Sequence, residues 1–213
     1  MSEIITVGDL IDISPTLQKR TPVWPGDIQL ELFWTFRMDE GFSCNVGGIT
    51  MSLHTGAHAD APFHFQEGGK PINELPLSTF VGNAYVVDVR SNEAIQPEDL
   101  TRLPSPLPDR ILLKTCSTQS GAFASRFAYL SVEAANLIAE SGCKLLGIDT
   151  PSVDKSDSKQ LMVHNVLANN GVVIIEGLEL KLVDEGWFEL IALPLKLKGM
   201  DASPVRAILR RIR

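Results

Sequence analysis

The segment from His54 to Phe65, HTGAHADAPFHF, limits the local fold more than any other part of the sequence. This histidine segment contains three of the four histidines of the 213-residue chain. Its candidate ligand residues all carry even numbers: His54, His58, Asp60 and His64. Side chains two residues apart point to the same face of an extended backbone, so the spacing predicts that these four groups meet at one point.

A helix fits the histidine segment less well. At about 100° per residue, a helix would turn Asp60 to the side opposite His58. Pro62 disfavours helical geometry at Ala61, and Gly56 weakens any helix through the stretch. We therefore predict an extended segment bent at Gly56 and Pro62, in which the missing side chain of Gly56 leaves room for an ion.

Metal binding is the chemistry that this set of groups favours. Two neutral imidazoles and a carboxylate suit zinc, and less specifically manganese or iron. A single histidine is more often a core or surface group than a ligand. Three histidines on one face of one short segment favour a metal site instead.

Two further candidate ligands lie later in the chain. Residues 157–171 show helical spacing of apolar residues and carry His164, and the strand predicted over Val172–Ile175 ends at Glu176. Taken alone, His164 is equally well explained as a helix-surface histidine, and Glu176 is better explained as an ordinary charge at the end of a strand. They become candidates because the histidine segment has too few ligands for two ions.

Composition excludes several classes of protein. With 19 basic and 26 acidic residues, the net charge is −7, and basic residues cluster only at the last few positions, so we expect no nucleic-acid partner. No apolar run approaches the roughly 20 residues that span a bilayer, and the N-terminus lacks the features of a secretory signal. We expect a cytoplasmic protein with no membrane association. The three cysteines are widely spaced and form no CxxC pair, so no disulfide is expected.

The pattern of apolar runs predicts many strands and few helices, without a regular βαβ rhythm. This indicates a mixed α/β or α+β domain, and the length suits one domain over residues 1–213. The predicted strands are Ile4–Ile13, Ile28–Phe36, Gly48–Leu53, Ala84–Val89, Arg110–Lys114, Lys144–Ile148, Val172–Ile175 and Trp187–Leu195. Ser131 is predicted to cap a helix over Val132–Glu140, and Ser203-Pro204 to begin a short C-terminal helix.

Trp24 lies in an unusually stiff segment, TPVWPGD, over residues 21–27. Two prolines flank Val23 and Trp24, and Gly26-Asp27 indicates a turn. A tryptophan held in this way is either a lid packed on the core or an aromatic wall of a pocket. The sequence leaves both interpretations open.

These residues and motifs resemble the cyclase-like metal hydrolases, a family with the signature HxGTHxDxPxH. The match spans nearly the whole chain: DISP, PVWPGD around Trp24, HTGAHADAPFH, SVD and DSK before His164, GVVIIEGL around Glu176, ELIALPL and DASPVRAIL. The Trp24 and DASPVRA segments narrow the resemblance to the bacterial kynurenine formamidases. One departure is Ala57, where the signature has threonine.

The resemblance implies a fold and a site. The fold would be mixed α/β, with a β-barrel-like sheet core and a few outer helices, of the cyclase or swivelling type, assembled as a homodimer. His54, His58 and Asp60 would bind one Zn²⁺, with Mn²⁺ as an alternative. Asp60 would bridge to a second ion, which His164 and Glu176 would complete. His64 would be the catalytic acid and base, and Trp24 a substrate contact.

The activity implied by the resemblance is the metal-dependent hydrolysis of N-formyl-L-kynurenine to L-kynurenine and formate, a step of tryptophan degradation. Two alternatives stand beside it. One is a hydrolase of the same family that acts on another amide or lactone, such as isatin. The other is a metal-binding protein without catalysis, which would need a closed coordination shell and would leave His64 without a role.

Overall fold

A ten-stranded sheet dominates the computed structural model, which describes residues 6–91, 93–115 and 126–212. The strands in the described part of the chain are β1 (Thr6–Val7), β2 (Leu10–Asp12), β3 (Glu31–Phe36), β4 (Val46–Thr50), β5 (His58–Asp60), β6 (Val81–Asp88), β7 (Ala94–Ile95), β8 (Arg110–Lys114), β9 (Tyr129–Leu130), β10 (Leu145–Ile148), β11 (Val173–Glu176), β12 (Gly186–Ile191), β13 (Ala202–Pro204) and β14 (Ile208–Arg211). The large sheet has the order β1-β2-β14-β12-β6-β8-β10-β11-β5-β13. Separate two-stranded sheets are formed by β3 with β4 and by β7 with β9.

The large sheet is parallel at its centre and antiparallel on both sides. Strands β6, β8, β10 and β11 run parallel, and the two α-helices α1 (Val132–Glu140) and α2 (Met162–Asn169) lie between consecutive strands of this group. The flanking strands β5, β13, β12, β14 and β2 pair antiparallel. The sheet curls into an open half-barrel, which confirms the predicted mixed α/β class with a barrel-like core.

Both faces of the central strands are buried, because neighbouring residues contribute to different apolar clusters. On β8, Leu112 belongs to the cluster on one side of the sheet, whereas Ile111 and Leu113 belong to the cluster on the side of the helices. The same alternation holds for Leu145 and Leu146 on β10. Parallel strands covered on both faces read as continuous apolar runs, which explains why these strands were predictable.

Two of the predicted helices are present: α1 has the predicted bounds, and α2 begins later than predicted. Ser131 caps α1, since its hydroxyl oxygen accepts a hydrogen bond from the backbone N–H of Ala134 at 3.1 Å. The helix ends at Glu140, as predicted, with Gly142 at φ 83° just beyond it. Helix α2 begins only at Met162, inside the predicted segment 157–171. None of the helices in the described part of the chain is long and apolar enough to cross a membrane.

Two of the predicted secondary-structure elements are wrong. Within the predicted strand Ile4–Ile13, the described residues form a hairpin of β1 and β2, which turns at Gly8 with φ 62°; residues 4 and 5 lie outside the described chain. The predicted helix at Ser203-Pro204 is instead β13, followed by β14. β13 is an edge strand, where a proline is tolerated, and its pairing with β5 overrides the local preference.

Candidate metal centre and active site

The histidine segment bends at Gly56 and at Pro62, as predicted, but its extended part is shorter than predicted. Only β5, from His58 to Asp60, is a strand, while Pro62–His64 forms a 3-10 helix. His54 lies in the turn before β5. Alternation along a strand therefore accounts for His58 and Asp60 alone, and the turns on either side bring the two outer histidines to the same point.

Gly56 and Gly177 allow two parts of the site to approach closely. Gly177 has φ 69°, and a Cβ on it would lie 2.3 Å from the carbonyl oxygen of Gly56. Gly56 has φ 70°, and a Cβ there would meet the side chain of Leu17 at 2.7 Å. Its positive φ thus favours glycine at position 56, and a Cβ there would point toward Leu17 and not, as predicted, into the space for an ion.

Strand pairing and helix α2 bring the later candidates to the same place. Glu176, at the end of β11, is directly opposite His58 on β5. His164 in the first turns of α2 is 2% exposed and points its Nε2 toward two carboxylates, at 3.4 Å from Asp60 Oδ2 and 3.3 Å from Glu176 Oε1. His164 is therefore a buried residue of the site and not a helix-surface histidine.

The ligand atoms fall into two groups that share Asp60. In each group one nitrogen or oxygen per residue lies within 4.8 Å of the others: one group is His54, His58 and Asp60, and the other is Asp60, His164 and Glu176. His54 Nδ1 lies 3.1 Å from Asp60 Oδ1, and His58 Nε2 lies 3.5 Å from the same oxygen. His58 Nε2 is also 3.5 Å from Glu176 Oε2. The two groups are adjacent, with one carboxylate between them.

The opposite ring nitrogen of each of these imidazoles has a separate partner. His58 Nδ1 is 2.9 Å from the carbonyl oxygen of Gly56. His164 Nδ1 is 2.7 Å from Asp154 Oδ2, and His54 Nε2 is 2.9 Å from Asp201 Oδ2. When the imidazole is neutral, an N–H donated to such an acceptor leaves the other nitrogen unprotonated and directed inward, an arrangement typical of histidines that bind a metal.

Several inward atoms are buried without a hydrogen bond. They are His58 Nε2 and both carboxylate oxygens of Asp60, and the two residues are 2% and 3% exposed. Buried polar atoms normally have partners, and leaving one unpaired costs about 1–3 kcal/mol. A divalent cation coordinated by these atoms would remove that cost, so the residues present fit a metal ion.

The charges at the site also favour a cation. Burial lowers the pKa of His54, but the hydrogen bond to Asp201 and the nearby Asp60 outweigh it and raise this pKa to about 10. The hydrogen bond from His54 lowers the pKa of Asp201 to about 2. The carboxylates therefore hold positive charge on the imidazoles, and the same field would favour a divalent ion in place of those protons.

His64 lies beside the ligand groups. Its ring centroid is 4.1 Å from that of His54 and 6.3 Å from that of His164. Its Nδ1 is 3.2 Å from Asp201 Oδ2. Burial lowers the pKa of His64, the reverse of the net effect at His54. His64 also belongs, with His54 and Asp201, to a third group with ligand atoms within 4.8 Å of one another.

A cavity of about 910 Å³ opens onto the site. His54, His58, His64, His164 and Glu176 line it, while Asp60 is buried among them. Trp24 lines the same cavity and is 39% exposed. Of the two interpretations that the sequence left open, the aromatic wall is therefore the one that the structure supports.

Asp154 and Asp201 are the site residues that the sequence analysis missed. Each was noticed only as part of a motif, SVD and DASPVRAIL, with no role attached. Asp154 accepts hydrogen bonds from the backbone N–H groups of Val163 and His164, so it also holds the first turn of α2. Asp201 directly precedes β13, which pairs with the histidine strand β5. The sequence around Asp201 does not indicate that the following strand pairs with β5.

Comparison with known proteins identifies relatives of this chain. The family model described as putative cyclase matches residues 11–155. A kynurenine formamidase of Salinibacter ruber (strain DSM 13855 / M31) is 43% identical over 205 residues, covering 94% of this chain and 97% of the relative.

Two solved structures have the same fold. One, described as a potential metal-dependent hydrolase with cyclase activity, has a TM-score of 0.83 and 32% identity and covers 96% of this chain and 98% of its own. Isatin hydrolase A from Labrenzia aggregata, bound to benzyl benzoate, has a TM-score of 0.81 and 25% identity, covering 94% and 92%. These matches and the ligand groups support a metal cofactor and a small-molecule substrate. The chain belongs to the cyclase family, as its histidine segment predicts.

Proposed function

We propose that this protein is an arylformamidase that hydrolyses N-formyl-L-kynurenine to L-kynurenine and formate. The observation that carries the proposal is the 43% identity to a kynurenine formamidase over nearly the full length of both chains. The cavity supports it, because the cavity joins the candidate metal ligands to the aromatic side chain of Trp24. A formylated arylamine needs both: a site that activates water and polarises a carbonyl, and a surface for its ring.

The proposed cofactor is a pair of divalent ions, with zinc favoured and manganese as an alternative. The two ligand groups that share Asp60 support two adjacent ions, one held by His54 and His58 and the other by His164 and Glu176. Two such ions bring four positive charges, and the two carboxylates neutralise two of them. When bound, ions of this kind polarise a carbonyl and lower the pKa of a coordinated water to about 7 from 15.7.

The side chains of this protein would supply the remaining steps. Trp24 stacks on the aryl ring, which places the formyl group over the ligand cluster. Water adds to the formyl carbon, and His64 accepts the proton that this water loses. The C–N bond then breaks, and His64 returns the proton to the departing nitrogen. An arylamine is a poor leaving group as an anion, so this proton transfer is what makes the cleavage feasible.

One alternative has a specific observation in its favour, the 0.81 TM-score and 25% identity to an isatin hydrolase. Isatin is a cyclic aryl amide, so the same machinery would open it. A non-catalytic metal-binding protein is less well supported, because the ligand groups open onto a cavity of about 910 Å³ instead of being closed off. A direct comparison of the two substrates distinguishes these functions.

A homodimer through the β3–β4 hairpin is part of the proposal. In the described part of the chain these two strands pair only with each other, and every residue of β3 is exposed. The exposed large apolar residues of the hairpin are Leu32, Phe33, Trp34, Phe36, Val46 and Ile49. An isolated hairpin is marginally stable in water, and an apolar patch of this kind marks an interface. A twofold axis would cover it with the same patch of a second copy.

The test of function is a side-by-side assay. Purified protein loaded with zinc should release formate from N-formyl-L-kynurenine with a kcat/KM well above that for isatin, and chelation should abolish the activity. Elemental analysis should give close to two ions per chain. Faster turnover of isatin would favour the sister activity, and bound metal without turnover of any formanilide, ester or lactone would favour the non-catalytic reading. The cytoplasmic location and the absence of a nucleic-acid partner stay predictions from the sequence.

A further inference from the structure

We propose that Asp201 is a positioning residue. One of its carboxylate oxygens, Oδ2, holds His54 in the tautomer that metal binding requires and His64 in the tautomer that proton transfer requires. The inference rests on the proposed function for the role of His64. Its structural basis is one juxtaposition: Asp201 Oδ2 lies 2.9 Å from His54 Nε2 and 3.2 Å from His64 Nδ1. One carboxylate thus accepts from two imidazoles whose rings are 4.1 Å apart.

At His54 the contact decides which nitrogen faces the ligand cluster. A neutral imidazole has one N–H and one lone pair. With the N–H on Nε2 and donated to Asp201, the lone pair is on Nδ1, which lies 3.1 Å from Asp60 Oδ1 inside the first ligand group. The opposite tautomer would place a lone pair against the carboxylate oxygen and a proton where an ion would bind.

At His64 the same oxygen decides which nitrogen is free to transfer a proton. Its Nδ1–H donates to Asp201, so the lone pair is on Nε2. That nitrogen is then the one able to take a proton and return it. The link is indirect, because Asp201 acts through the two imidazoles; it is therefore a positioning residue and not a catalytic one.

The backbone around Asp201 is fixed by the same strands that carry the ligands. Its carbonyl oxygen accepts a hydrogen bond from the N–H of Ala61 at 2.9 Å. The next residue, Ala202, is opposite Asp60 in the pairing of β13 with β5. The Asp201 side chain, which is 37% exposed, is thus held at a defined distance from the ligand cluster without being part of the core.

A competing interpretation is that Asp201 is itself a ligand. Asp201, His54 and His64 could hold an ion between them, since their atoms lie within 4.8 Å of one another. That ion would have to use His54 Nε2, whereas the first ligand group uses Nδ1. A neutral imidazole has only one lone pair to give, so the two groups compete for His54. The buried, unpaired atoms of His58 and Asp60 belong to the first group, which is therefore favoured.

The experiment uses Asp201→Asn in the zinc-loaded, full-length protein. The expected results are a 10- to 100-fold loss of zinc affinity, measured by competition with a chromogenic chelator, and a loss of similar size in kcat on a formanilide with little change in KM. The ¹⁵N spectrum of the imidazoles should show His64 changing from one dominant tautomer to a mixture. Asp184→Asn, at a side chain 81% exposed, is the matched control and should change none of these.

A double variant supplies the decisive comparison. If Asp201 acts through His64, adding Asp201→Asn to His64→Ala should lower kcat little further, because the proton-transfer group is already gone. Fully additive losses, or an unchanged His64 tautomer in Asp201→Asn, would overturn the inference. Loss of one whole ion with no tautomer change would identify Asp201 as a ligand. If wild type hydrolyses no formanilide, the proposed function fails, while the tautomer and zinc measurements still decide the role of Asp201.

Discussion

Asp154→Asn tests how the candidate metal ligand His164 is held in position. The Asp154 carboxylate is 4% exposed and accepts three hydrogen bonds. Its Oδ1 accepts from the backbone N–H of Val163 at 3.2 Å. Its Oδ2 accepts from the backbone N–H of His164 at 3.0 Å and from His164 Nδ1 at 2.7 Å. The substitution keeps the shape of the side chain but removes its negative charge and one of its two acceptor oxygens.

The expected loss of stability follows from counting the hydrogen-bond donors that face the Asp154 side chain. An asparagine amide has one oxygen and one NH₂ group, which only donates. If the oxygen takes the Oδ2 position, the NH₂ faces the N–H of Val163; if the amide is turned, the NH₂ faces both donors of His164. At least one buried donor is left unpaired, at a cost of about 1–3 kcal/mol. In a chain of about this length, 1 kcal/mol lowers Tm by about 2–4 °C, so the metal-free variant should melt roughly 2–12 °C lower.

Metal affinity should fall as well, because the carboxylate fixes the ring orientation and tautomer of His164. Substituting such a partner typically costs 10- to 100-fold in affinity, which a chelator competition assay would measure. The matched control is Asp157→Asn, whose side chain is 70% exposed and pairs with Lys155 at 3.0 Å. That variant should keep the Tm and the metal affinity of wild type. A lower Tm with unchanged affinity would mean that Asp154 only holds the start of α2, and no change in either quantity would refute the reasoning.

Three further predictions concern other parts of the molecule. His64→Ala should keep its metal and lose about 10²- to 10⁴-fold in turnover of a formanilide, but much less on an aryl ester with a low-pKa phenolate, which leaves without an acid; equal losses on both substrates would remove the proton-transfer role. Ser131→Ala should lower the free energy of unfolding by about 1 kcal/mol in urea titration, because α1 loses the cap on the Ala134 N–H, and an unchanged midpoint would contradict this. Burial raises the pKa of the Cys143 thiol to about 12, so peptide mapping after iodoacetamide treatment at pH 8 should find exposed Cys44 modified and Cys143 intact until denaturant is added.

The parts of the fold that sequence predicted well are those with a local cause. The β8 strand was predicted to the residue, because its run of apolar residues is buried on both faces. Helix α1 was also predicted to the residue, because Ser131 and Gly142 mark its two ends in the sequence itself. By contrast, Ser203-Pro204 looks like a helix start and forms a strand. What decided this was the pairing of β13 with β5, more than 140 residues earlier in the chain.

The candidate site also has a part with a local cause in the sequence and a part that depends on tertiary structure. The candidate site residues His54, His58, Asp60 and His64 were recognised because three histidines and a carboxylate fall within twelve residues, although the reason offered for their convergence holds for β5 alone. His164 and Glu176 became candidates because the histidine segment has too few ligands for two ions, and the resemblance to the family then implied their role. Tertiary structure alone brought them to Asp60, through the pairing of β11 with β5 and the packing of α2.

The sequence by itself determined the class of the domain, its family and most of the groups that would bind metal, because composition, capping and side-chain spacing are local properties. Only the tertiary structure decided which atoms face one another. Asp201 is 147 residues from His54, and a single oxygen of it contacts two histidines. Such a contact depends on strand register and on the curl of the sheet, which result from the packing of the whole chain and leave no pattern around either residue.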